Sequence, residues 1–216
     1  KEYWVMIYEI RHQEKYSRGE LLLRSFFGYL YIALPHLFLL FFLSIWSSIV
    51  GFIAFWSILF TGRYPESFFE YQVKFFKWNM RVNARMMNLC DGYPAFGLDS
   101  DDENIKFEVP YRENLSKGNA LIKFFFGWLY VMIPHGFVLF FRALGVFFVQ
   151  VLAFWIVLFT GEYPEQMHNF VTGTYRWGQR ISLYLAYMTD EYPPFTGKRL
   201  SNELGQEFEK NNAFNA

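Results

Sequence analysis

The chain has 216 residues, 53% of them hydrophobic and 23% aromatic, with 28 Phe, 15 Tyr and 7 Trp, a composition that excludes a disordered chain. Lys and Arg total 20 and Asp and Glu total 20, so the formal net charge is zero and no global field recruits nucleic acid or an anionic substrate. A lone cysteine, Cys90, excludes an internal disulfide and a multi-thiolate metal centre.

In chain order, Val5 to Ile10 reads as a short strand. From Phe26 to Phe60 the chain carries no charged side chain. As one straight helix such a run would measure about 52 Å, against a hydrocarbon core of about 30 Å. Two solutions fit. One is a helical hairpin turning near Ser44 to Ser48; the other is an interfacial helix ending at Pro35, followed by one tilted span. Both flanks are basic, with Arg11, Lys15, Arg18 and Arg24 before the run and Arg63, Lys74, Lys77, Arg81 and Arg85 after it. A hairpin keeps both flanks on the cytoplasmic side, so we read the run as a hairpin.

Thr61-Gly62-Arg63-Tyr64-Pro65-Glu66 is a stop and restart: Gly62 ends one helix, Pro65 starts the next and Glu66 suits its N-terminus. From Pro65 to Leu89, charges every three or four residues oppose Phe68, Phe69, Phe75, Phe76, Val82, Met86 and Leu89, the pattern of an amphipathic interfacial helix. Gly97 to Asn104, rich in Asp, is a solvated linker, and Ile105 to Val109 is a second strand able to pair with the first. A second apolar run, Phe124 to Phe159, contains one charge, Arg142, which a hairpin would place at its turn near Gly145; in the alternative the interfacial helix ends at Pro134. Gly161, Pro164 and Glu165 repeat the stop and restart, a more apolar helix runs from Pro164 to Met188, and a polar tail follows Gly197.

Displacing the chain by about 99 residues aligns its halves without a gap, with roughly thirty identities over about eighty positions, as a tandem duplication would. Phe26-Phe27-Gly28 with Pro35 and His36 answers Phe125-Phe126-Gly127 with Pro134 and His135. Trp78 with Arg81 answers Trp177 with Arg180, and Asp91-x-Tyr93-Pro94-x-Phe96 answers Asp190-x-Tyr192-Pro193-x-Phe195. The divisions read as residues 1–98, 99–197 and a tail, 198–216.

This series of motifs resembles a bacterial family of membrane proteins known as domain of unknown function 4389, in two tandem copies over nearly the whole chain. The resemblance implies a multi-pass protein of the bacterial inner membrane and no established activity, so it assigns no catalytic residue. The second copy departs from the pattern at Glu162, where Arg63 stands in the first.

Paired histidines in a membrane protein raise the question of haem or metal, but no Cys, Glu or further His beside His36 or His135 completes a ligand set. The simpler reading is a helix bend, with Pro35 or Pro134 freeing a backbone carbonyl and the adjacent histidine bonding it. Trp78, Arg81 and Asp91, with Trp177, Arg180 and Asp190, fit either a lipid-headgroup site or an internal Arg to Asp pair that anchors the Tyr-Pro turn. No phosphate loop, nucleophile elbow or zinc-protease motif occurs, and Glu66, Glu165, Asp91 and Asp190 are explained by helix capping.

The expectation is therefore an all-α integral membrane protein of two pseudo-symmetric repeats, each a strand, a membrane hairpin and an amphipathic helix. It has no catalytic activity, cofactor or metal. Its expected function is a scaffold or accessory subunit that engages lipids and a larger membrane partner or a second copy. The rival is a small transporter with a path between the repeats, for which Ser44, Ser47, Ser48 and Gln150 are the only polar candidates within the runs.

Overall fold

The computed structural model describes residues 6–200, so Val5 and the tail beyond Leu200 lie outside the described residues. Strand β1 (Ile7–Ile10) is followed by α1 (Arg18–Gly28), a π-helical turn (Tyr29–Ala33), α2 (Leu34–Thr61) and α3 (Glu66–Met86). The second half repeats that order as β2 (Ile105–Glu108), α4 (Lys117–Gly127), a π-helical turn (Trp128–Met132), α5 (Ile133–Thr160) and α6 (Glu165–Leu185). About two thirds of the described residues are helical. The two strands pair antiparallel, Ile7 opposite Glu108 and Ile10 opposite Ile105.

The hairpins do not form. Residues Arg18–Thr61 and Lys117–Thr160 are each one continuous helical unit of 44 residues, long and apolar enough to cross a membrane. Nothing between Ser44 and Ser48 breaks the helix, because Ser44 Oγ donates to the Phe41 carbonyl at 2.7 Å and Ser48 Oγ to the Ser44 carbonyl at 2.9 Å, satisfying both hydroxyls on the helix itself. Arg142 is likewise mid-helix, its guanidinium drawn to α6 by Thr174 Oγ1 at 2.7 Å. Each long helix departs from α geometry instead just before the proline, in one π turn, where the extra residue accommodates a ring with no N–H. Pro65 and Pro164 stand at the N-cap, one place earlier than expected, so that Glu66 and Glu165 open α3 and α6.

Both long helices end on a left-handed glycine, Gly62 at φ 76° and Gly161 at φ 75°. There the halves interlock. Tyr16 N–H donates to the Gly161 carbonyl at 2.9 Å and Leu115 N–H to the Gly62 carbonyl at 2.8 Å. Arg18 reaches the Phe159 carbonyl and Lys117 the Phe60 carbonyl, both at 2.9 Å, each a cation from one half on the negative helix end of the other. The long helices therefore run antiparallel, and Phe55 stacks on Phe124 where they meet, with ring centroids 4.5 Å apart. Around each elbow the ring pairs correspond: Tyr111 donates to the Tyr64 carbonyl and lies edge-on to Phe69, while His12 donates from Nε2 to the Tyr163 carbonyl at 2.6 Å and lies edge-on to His168.

His168 is buried and donates from Nε2 to the Leu89 carbonyl at 3.1 Å. Burial, with His12 beside it, pushes its pKa from 6.5 down to about 4. The folded state thus prefers the neutral ring; its stabilising contribution is full above pH 6.5 and is lost as pH falls toward about 4. The melting temperature of the full chain in detergent should drop across that window, by the equivalent of about 3 kcal/mol. His168→Phe, which copies the Phe69 of the other elbow, should flatten the slope; an unchanged slope would exclude His168 as its source.

Candidate functional site

Pro35 cannot donate to the carbonyl four residues back, so the Tyr31 carbonyl is left open. Tyr93 fills it, donating its hydroxyl at 2.9 Å, and Tyr192 does the same for the Tyr130 carbonyl opposite Pro134. His36 takes a different partner from the one expected: its Nδ1 accepts from Trp78 Nε1 at 2.9 Å, as His135 Nδ1 accepts from Trp177 Nε1 at 3.0 Å. Each imidazole is fully buried and lies flat on a phenylalanine, His36 on Phe96 and His135 on Phe195, both with centroids 3.9 Å apart. Three motifs far apart in sequence thus close on one point: Pro-His from the long helix, Trp from α3 or α6, and Tyr-Pro-x-Phe from the segment that follows.

The arginines hold the same segment from the other side. Arg81, fully buried, donates to the carbonyls of Gly97 and Ser100. Arg180, equally buried, donates to those of Thr196 at 2.9 Å and Lys198 at 2.8 Å. Burial and neighbouring Arg85 lower the pKa of Arg81, offset in part by Asp102, and the two carbonyls it binds suit the fork of a guanidinium. Asp91 pairs not with Arg81 but with Arg24, at 2.7 Å, and its other oxygen accepts from the Ser17 N–H at 2.7 Å. Asp190 accepts from the Ser116 N–H at 2.7 Å and from Asn119 at 2.9 Å, with Lys123 at 3.5 Å. Each aspartate therefore fastens the end of one helical layer to the N-terminus of the long helix of its own half.

Sequence reasoning brought forward most members of this cluster but not Tyr93, Tyr192, Phe96 and Phe195 as working parts, although the proline four residues after Tyr31 and Tyr130 signals an acceptor in need of a donor. It also missed the His12 and His168 pair, which only the interlock brings together. Nothing in the cluster is arranged as a nucleophile with a base. The Cys90 thiol is buried and pushed up to about 12, out of reach of thiolate chemistry at neutral pH. Among the described residues, no three His, Cys, Asp or Glu side chains gather to hold a metal ion.

Between the halves, α3, α5 and α6 border a cleft of about 400 Å³ lined in part by Asn79, Asn83, Tyr175, Gln179 and Ser182. The polar side chains named for a transport path are occupied elsewhere. Ser47 donates to Gln72 at 2.6 Å, and Gln150 donates to the Met87 carbonyl at 2.7 Å while accepting from Tyr163 at 3.0 Å.

The cluster also sets a test of its own. Trp78→Phe strips buried His36 of its bound donor and should lower stability by about 1 to 3 kcal/mol. Tyr93→Phe should cost about 1 kcal/mol, and the double variant should fall short of the sum because both side chains hold one segment. Strict additivity in a denaturation series would show the two contacts to be independent.

Residues 123–197 match the family model described as Domain of unknown function (DUF4389). No curated protein and no solved structure matches the chain. The matched stretch runs from α4 through the Tyr-Pro-x-Phe segment that ends the second half, so the match supports that domain family for the second half.

Proposed function

We propose that the chain is a non-catalytic scaffold or accessory subunit of a membrane, formed by tandem duplication of one domain, whose paired long helices lie along the bilayer with their aromatic sides in it. The observation that carries this reading is one-sidedness. Among the described residues, all but four of the exposed large hydrophobic side chains belong to the two long helical units, and the four exceptions, Tyr93, Phe96, Tyr192 and Phe195, sit beside the His-Trp cluster. The most apolar stretches of the two units are only 17% and 11% buried, the opposite of a core helix in a water-soluble protein.

Charge favours lying along the bilayer over crossing it. The middle of the first apolar run, Leu43, is level with Tyr71, whose hydroxyl donates to the Leu43 carbonyl at 2.8 Å. One turn along α3, Lys74 pairs with Asp99 at 2.6 Å, the two side chains 45% and 81% exposed. A perpendicular helix would hold that exposed pair near the bilayer midplane, where charge costs several kcal/mol. Laid in the interface, the same helices keep the pair in water, and a run of about 52 Å no longer has to match a core of about 30 Å. A pseudo-two-fold axis along the membrane normal then presents both apolar sides to one leaflet. The resemblance noted above points to a bacterial inner membrane, and the breadth of the aromatic face suits lipid together with a membrane-protein partner or a second copy.

A crossing pair would instead be an inverted repeat, and the cleft between the halves favours that rival as a transport path. Single cysteines at Lys15 and Arg63, near opposite ends of the first long unit, separate the two in a Cys90→Ala background. We expect both to label from the same side in spheroplasts and in inverted vesicles. Labelling from opposite sides would overturn the in-plane arrangement and favour the transporter.

A further inference from the structure

The two halves differ most in charge at one place. In the first, Leu43, Tyr71 and Leu98 pack against one buried apolar cluster between α2 and α3, and the Lys74 to Asp99 pair lies at the surface. In the second, every one of those residues is replaced. Arg142 stands for Leu43, Phe170 for Tyr71, Gly173 for Lys74, Gly197 for Leu98 and Lys198 for Asp99. The result is an open cavity of about 650 Å³ between α5, α6 and residues 196–199.

The replacements work together. A Cβ on Gly173 would lie 3.4 Å from Arg142 Nη2 and 3.0 Å from the Gly197 carbonyl, so glycine at both places lets the segment approach α6 while the guanidinium lies against the helix backbone. Arg142 donates to Thr174 Oγ1 and, at 3.4 Å, to the Phe170 carbonyl, and its guanidinium lies over the Phe170 ring at 4.5 Å. Four cations line the cavity, Arg142, Arg176, Lys198 and Arg199, against one acid, Glu165. Arg199 is paired with Glu9 at 2.7 Å, and Arg176 donates to the carbonyls of Tyr8 and Gly197. Arg142 and Lys198 form no ion pair among the described residues. A half-buried guanidinium with no counter-charge, on an otherwise uncharged run of helix, is held at a cost that a bound anion would remove.

We infer that this cavity is an anion site of the second half that takes a phosphate group, with Arg142 as the fork and Lys198 as the second cation. The inference rests on the comparison of the two halves and not on how the long helices meet the bilayer. The phosphate can belong to a lipid headgroup or be free in solution, since both offer a pair of non-bridging oxygens to a guanidinium fork.

The test uses the purified full chain in phosphate-free dodecyl maltoside micelles, followed by melting temperature and by intrinsic tryptophan fluorescence, the Trp177 ring centre lying 6.0 Å from the Arg142 guanidinium carbon. The probes are inorganic phosphate and, separately, phosphatidylglycerol added to the micelles. We expect saturable stabilisation by at least one probe, weakened about tenfold or more in Arg142→Gln and several-fold in Lys198→Gln, and unchanged in Lys74→Gln at the equivalent place of the first half. A response to inorganic phosphate identifies a soluble ligand, and a response to phosphatidylglycerol alone identifies a headgroup. Should Arg142→Gln fail to fold, the exposed Lys198→Gln decides the matter. No response to either probe, or an undiminished response in Lys198→Gln, would overturn the site.

Discussion

A carbonyl with no partner governs much of this architecture. A proline placed inside a long apolar helix leaves one acceptor open four residues back. Both halves answer it with a tyrosine brought from about sixty residues away, Tyr93 to Tyr31 and Tyr192 to Tyr130. Once that hydroxyl is in place, the following Pro-x-Phe lays a ring on the neighbouring histidine, the histidine accepts the tryptophan indole of the packed helix, and the arginine one turn on collects the carbonyls of the returning segment. Each contact draws on a segment that the one before brings into place. This is why the motifs recur as a set in both halves.

Much of the fold was legible because its signals are local. The uncharged runs, the glycine and proline between helices, the paired strands and the 99-residue correspondence are patterns of residue type and spacing. The continuity of the long helices was not, since the serines near the middle of the first run look like turn residues, and only their hydroxyls folding back on the helix show otherwise. Positive flanks argued for a hairpin on the premise that the run must cross, and the structure removes the hairpin without needing that premise. The partners of His36, Arg81 and Asp91 were also out of reach. Each depends on which segment returns to which helix, and a carbonyl acceptor leaves no trace in side-chain identity. The rewired cavity stayed hidden for another reason. Repeats are recognised by what they share, whereas Arg142, Gly173, Gly197 and Lys198 matter because they differ from their counterparts.

The two halves also divide labour within one frame. The His-Trp-Tyr cluster is kept nearly atom for atom in both, as expected of contacts that hold the helices together. Divergence gathers at the edges, where Phe69 and Tyr111 of one elbow become His168 and His12 of the other, and where a surface ion pair gives way to cations. Between corresponding positions of the two halves, change is found where the frame does not need the contact.

The exchange of lead-in segments at the elbows bears on how the chain is made. Residues 111–117 seat on the elbow at Gly62, and residues 12–18 seat on the elbow at Gly161. During synthesis the first elbow emerges well before the segment that covers it, and residues 12–18 wait until the chain has passed Tyr163 before their own seat exists. The halves are therefore not two beads on a string. Each is a clasp that closes only on the other, so the second half cut free at about residue 99 would keep its sequence motifs and lose the lid over its own long helix.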